Sequence, residues 1–175
     1  LYFENKEYAT PEGRKSIESG AISGIVSHGV CCFTEHFNNM HFWANYADNH
    51  TGLCLEFRPD YRKSPFDKLG IVEYENDYPK VGIDEEDKYK CFFQVKHTDW
   101  QIEDEWRLII PGCAQRTVDF AFYELTAVVC GCNMRPNDIE KIKSWILSNP
   151  NAARSRPKLL RTEKDHEKYQ LKTTE

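Results

Sequence analysis

No apolar run in this chain approaches the length needed to cross a bilayer, and no signal-peptide pattern precedes its first polar residues. Basic charge is also short. Lys and Arg number 23 against 28 Asp and Glu, a formal net charge of −5, so no general nucleic-acid footprint is expected, though a local basic patch remains open. Internal repeats and low-complexity segments are missing. So is any Cys-x-x-Cys, although there are seven cysteines: Cys31, Cys32, Cys54, Cys91, Cys113, Cys130 and Cys132. An odd count in apolar, strand-like surroundings argues for buried free thiols in a reducing compartment, rather than a disulfide framework or a zinc site. These absences point to a soluble cytoplasmic protein with no membrane partner and no resident metal. What is present is enough for a folded domain: 175 residues, 40% hydrophobic and 13% aromatic. Leu1-Tyr2-Phe3, with no initiating Met, resembles the remnant of a protease-cleavage tag and equally the end of a native strand.

Along the chain, Thr10-Pro11-Glu12-Gly13 has a hydroxyl cap, a first-turn proline and a carboxylate, the pattern of a helix start. Val30 to Thr34 predicts a buried strand. Asn38 and Asn39 can cap a helix carrying Trp43, Tyr46, Ala47 and His50 on one face, which Gly52 then stops. Leu53–Phe57 and Ile71–Tyr74 predict strands, and acidic residues 84–87 open a helix bearing Tyr89, Phe92 and Phe93. Leu125–Cys132 suits a central strand buried on both faces. Pro136-Asn137-Asp138 starts a helix with Ile139, Ile142 and Ile146 in one stripe. Lys158–Arg161 and Tyr169–Lys172 read as a closing hairpin. The class expected is α+β, a single domain with a mixed, mostly antiparallel sheet and several flanking helices. Its parts are an N-terminal segment at 1–29, a core at 30–147 and the closing hairpin at 148–175.

The densest concentration of chemistry is Trp100-Gln101-Ile102-Glu103-Asp104-Glu105-Trp106-Arg107, running into Leu108-Ile109-Ile110. Read as a strand, it places Glu103, Glu105 and Arg107 on one side and Trp106, Leu108 and Ile110 on the other. Two carboxylates about 7 Å apart on a rigid strand can serve acid/base or cation-stabilising chemistry. The simpler reading is a solvated face with a Glu105–Arg107 ion pair, in which Trp100 and Trp106 are packing residues and Lys96 is surface.

Several segments together resemble an uncharacterised bacterial family, the domain of unknown function twenty-nine seventy-one. They are Cys32-Phe33-Thr34, Phe42-Trp43-x-x-Tyr46-Ala47-x-x-His50, Gly52-Leu53-Cys54, Lys96-His97-Thr98-Asp99-Trp100, and Glu103-Asp104-Glu105-Trp106-Arg107. Val128-Val129-Cys130-Gly131-Cys132 is similar to the family's late apolar strand, so the likeness spans roughly 30–147. Thr34, Phe42 and Ile102 stand where the family has serine, methionine and tyrosine. Its N-terminal Tyr-Arg-like strand and Asn-Asp-Pro-Phe motif are not recognisable here.

The family brings no established activity. Thr34 with Glu103 and Glu105 also resembles the ADP-ribosyltransferases, which carry a hydroxyl residue on an inner strand and Glu-x-Glu at a later strand start. The resemblance implies NAD as substrate, with Glu105 stabilising the positive ribose as nicotinamide leaves and Glu103 orienting or deprotonating the acceptor. Trp43 and Tyr46 would stack on rings and His50 would contact a phosphate or hydroxyl, with Arg107 and Lys96 also on the ligand. Two other readings stand beside it. One is metal-dependent hydrolysis with Glu103, Glu105, His50 and Asp48 around Mg²⁺ or Mn²⁺. The other is a non-enzymatic sensor or interaction module of a bacterial (phage) defence system, binding a nucleotide or a protein.

Overall fold

The computed structural model describes residues 25–60, 64–77, 89, 91–114, 116–153 and 155–174. The helix starts expected at Thr10–Gly13 and at 84–87 lie outside them. The strands are β1 (Gly29–Thr34), β2 (Leu53–Phe57), β3 (Leu69–Ile71), β4 (Glu73–Glu75), β5 (Val95–His97), β6 (Glu105–Ile110), β7 (Leu125–Cys130), β8 (Lys158–Lys164) and β9 (Leu171–Thr174), with helices α1 (Met40–Asn45) and α2 (Pro136–Ser148). The class is α+β with mostly antiparallel sheets, as the sequence pattern predicts. The chain divides into two compact units, Leu1–Glu35 with Lys68–Val118, and His36–Asp67 with Asp119–Glu175.

In the first unit β6 is the middle strand of an antiparallel sheet ordered β1-β6-β3. Among the described residues strand β1 is an edge, and Val30, Cys31 and Cys32 are exposed rather than buried as its apolar sequence implied. The expected Ile71–Tyr74 strand is two. Its first residues pair with β6, then Val72, buried, donates its N–H to the Glu105 carbonyl (2.9 Å). The chain then leaves for a separate parallel pair, β4 with β5. A single apolar residue at the crossing lets both short strands anchor on one core side chain.

The second unit holds the sheet β2-β7-β8-β9, in which β7 pairs antiparallel with β2 and parallel with β8. Its continuous run of Ala127, Val128, Val129 and Cys130 is buried on both faces, as expected of a central strand. Val128 and Cys130 pack against Ile142 and Met134, with Ile139 and Ile146 alongside, so the helical stripe lands where its period places it. Ala127 and Val129 pack with Trp43 and Leu171 on the other face. Strands β8 and β9 form the expected antiparallel hairpin.

Helix α1 is shorter than its sequence period implied. Asn39 caps it by accepting from the His41 N–H (2.9 Å), but it ends at Asn45 with Tyr46 as C-cap. Asp48, Asn49 and His50 then all take left-handed backbone conformations (φ 46°, 51° and 67°). Asp, Asn and His tolerate that region better than most residues, so the chain turns before Gly52 is reached.

Candidate functional site

Glu103 does not open the strand. It is the last residue of a 3-10 helix, Thr98–Glu103, and Asp104, left-handed at φ 42°, turns the chain into β6 at Glu105. The expected alternation of Glu103, Glu105 and Arg107 along one strand is therefore corrected to a 3-10 helix end followed by two strand residues. The face they meet on is not solvated: Glu103 is 2% and Glu105 5% exposed, and Ile109, on the same side of β6, is 2% exposed.

Two carboxylates cannot be buried without compensation, because removing each from water costs several kcal/mol. Lys96 and Arg107 supply it. Lys96 reaches both acids, forming an ion pair with Glu103 and another with Glu105 Oε2 at 3.1 Å. Arg107 grips Glu105 in a fork, its Nε donating to Oε1 (2.8 Å) and its Nη2 to Oε2 (3.0 Å). The remaining Nη1 donates to the Phe93 carbonyl (2.7 Å), which fixes the guanidinium plane. Two positive side chains thus balance two negative ones within one small volume.

The surroundings reinforce this. In the β1–β6 register Thr34 stands opposite Glu105, and Cys32 opposite Arg107, so all four side chains share a face. The Tyr74 hydroxyl accepts from the Glu105 N–H (2.9 Å), and Lys96 Nζ sits 4.9 Å from the Trp100 ring centroid. Burial pushes the Glu105 carboxyl up, but hydrogen bonds from Arg107, Cys32 and Lys96 outweigh it and hold the pKa at about 2. Burial, then the hydrogen bond to Glu105, pushes the Cys32 thiol up to about 11. Lys96 ends above its ordinary value, because its bonds to the two acids outweigh the opposing effect of burial.

The other sequence-predicted residues lie in the second unit. Trp43 is 3% exposed within the core, its ring N–H donating to the Phe37 carbonyl (2.6 Å). Tyr46 is exposed and packs on Phe42. His50 Nδ1 is buried with no hydrogen-bond partner among the described residues, and burial, then Lys164, lowers its pKa. Among the described residues no three His, Cys, Asp or Glu side chains are grouped to hold a metal ion. The seven cysteines are free, yet of these only Cys130 is buried, which corrects the expectation of buried thiols. Trp100 is 45% exposed, a platform for Lys96 rather than a packing residue.

Sequence reasoning missed Tyr74, the hydrogen bond between Cys32 and Glu105, and a third buried acid, Glu124, which is fully buried in the other unit. Glu124 accepts from the Asp60 N–H (2.8 Å), the Ala121 N–H (2.9 Å) and the Ser64 hydroxyl, and these outweigh burial to lower its pKa. Sequence periodicity offers no signal for it, since Glu124 sits in a three-residue 3-10 turn.

The site and sheets define an α+β protein organised, in one unit, round a buried and charge-balanced carboxylate centre. Residues 42–108, which carry the Phe42–His50 and Glu103–Arg107 motifs, match the model of a family described as a protein of unknown function (DUF2971). This is the family that the sequence motifs resemble. No curated protein and no solved structure matches the chain. No helix among the described residues is long and apolar enough to cross a membrane.

Proposed function

We propose that the charged centre of the first unit binds NAD and breaks the bond between nicotinamide and ribose, the first step of ADP-ribosyl transfer. The observation that carries this reading is the register of β1 and β6, which sets Thr34 directly across from Glu105 while Glu105 is buried and held as an anion. As the bond from ribose C1 to the pyridinium nitrogen breaks, its electron pair leaves with nicotinamide, which becomes neutral. Positive charge appears on the ribose, where a fixed carboxylate in a low-dielectric site is most effective. Arg107 sets the carboxylate plane. Lys96, on a flexible stem, is the partner that yields its place on Oε2 to the ribose. A hydroxyl or water then bonds to C1, and its proton passes to the Glu103 carboxylate.

One observation favours a second reading, a non-enzymatic sensor or interaction module. Glu105 already accepts from Arg107 twice and from Lys96, so little of its capacity is left for a ligand. Thermal-shift titration with NAD, ADP-ribose and MgCl₂, on wild type and on Glu103→Gln and Glu105→Gln, tests NAD binding, and release of free nicotinamide from NAD tells an enzyme from a sensor that binds the same nucleotide. NAD binding predicts a saturable rise in Tm with NAD that Glu105→Gln diminishes. A flat response to NAD and ADP-ribose in wild type refutes it and leaves the module reading.

A further inference from the structure

Gln94 lies beside this centre, although no sequence motif marks it out. Its backbone carbonyl accepts from the Glu73 N–H (2.7 Å), the bond at which the β4–β5 ladder begins. Lys96, two residues further on in β5, meets Glu103 and Glu105. Gln94's neighbour Phe93 gives its carbonyl to Arg107. The carboxamide itself makes no hydrogen bond among the described residues, although the residue is half-buried.

Gly70 explains how Gln94 fits. Gly70 is the register partner of Arg107 across β3 and β6. A Cβ built on Gly70 would lie 2.5 Å from Gln94 Nε2, so the carboxamide occupies the space that a side chain at 70 would fill. A half-buried amide with two donors and an acceptor uncommitted, lodged over a glycine beside a charged centre, has capacity that the fold does not use.

Resting on the NAD reading of this centre, we infer that Gln94 is a specificity-determining residue that recognises the carboxamide of the nicotinamide ring. Two carboxamides are mutually complementary, each N–H donating to the other's oxygen. A ligand bearing a carboxylate in that place keeps one of these bonds and sets two oxygens against each other in the second. Gly70 is the residue that makes room for the reader.

The test compares binding of NAD with that of its deamidated form, in which the carboxamide is a carboxylate, by calorimetry on the full chain. Wild type should bind NAD at least about tenfold more tightly than the deamidated form, the scale of one hydrogen bond gained or lost. Gln94→Ala should still bind NAD but lose that preference. Gly70→Ala, which leaves Gln94 chemically intact and displaces it, should lose the preference too, and the double variant should be no worse than Gln94→Ala alone. Retained preference in Gln94→Ala overturns the role of Gln94 and leaves the NAD reading standing. No binding of either dinucleotide by wild type overturns both.

Discussion

Arg107 and Lys96 both face Glu105, and removing either should destabilise the fold. Arg107 supplies a rigid two-pronged contact and also satisfies the Phe93 carbonyl. Arg107→Met leaves a buried carboxylate short of its main partner and should cost about 3 kcal/mol of stability, the scale for breaking a buried ion pair. Lys96→Met takes the shared cation from two buried carboxylates at once, so it too should cost about 3 kcal/mol, with the loss falling on Glu103 as well as Glu105. Urea unfolding of both variants checks this, and a loss below about 1 kcal/mol for either would contradict the buried pairing. Cys32 offers a second check. Its thiol, raised to about 11, is almost wholly protonated at neutral pH and should alkylate slowly for an exposed cysteine. Glu105→Gln removes the hydrogen-bonding and charge contributions to that shift, so iodoacetamide labelling of Cys32, followed by peptide mass spectrometry, should accelerate. An unchanged rate would show that burial alone sets the thiol.

At the scale of elements, the joints are more informative than the strands. Asp104 is left-handed between the 3-10 helix and β6, and its turn separates the two acids that converge on Lys96. Asp104→Gly should be tolerated, whereas Asp104→Val should cost roughly 1–2 kcal/mol, because a β-branched residue is strained there. Equal Tm values for the two variants would argue against that turn. Gly131 is a second joint: a Cβ there would collide with the His50 carbonyl, itself at the end of the left-handed Asp48–His50 turn. These joints are where sequence pattern failed. The regular period of Trp43, Tyr46, Ala47 and His50 reads as one helix, but a turn follows Asn45, and tertiary packing decides the boundary. Ile71–Tyr74 likewise reads as one strand, because nothing local records that β3 and β4 pair with different neighbours. By contrast β7 and the Pro136–Ser148 helix were legible. Each carries a long pattern of one period, and burial acts on all of it at once.

For the whole molecule, two of the three buried acids, Glu105 and Glu124, tie stability to pH. The folded pKa of Glu105 is about 2, lowered from 4.5, and Glu124 is also lowered. A carboxyl with a depressed folded pKa contributes stability that is complete above its unfolded value and lost as pH falls through the folded one. Thermal melts should therefore hold level down to about pH 5, the top of the ordinary carboxyl range, and fall steadily below it. Glu105→Gln should flatten that fall, while a profile rising as the pH drops below about 4 would contradict the assignment. The centre itself was half legible. Glu103, Glu105, Arg107 and Lys96 stand out as charges amid apolar and aromatic sequence, but their burial does not, because a charged face reads as solvated until its cover is known. The cover includes Tyr74, Gln94 and the Phe93 carbonyl, all distant in sequence from Thr34 on the opposite strand. Whether that covered centre performs chemistry is decided most directly by chromatographic measurement of free nicotinamide from NAD incubated with the full chain. Wild type should release it steadily, and Glu105→Gln should release it about 10²-fold more slowly or less, the scale of losing one preorganised charge-stabilising group. Wild-type release no faster than buffer, or full activity in Glu105→Gln, would contradict that chemistry.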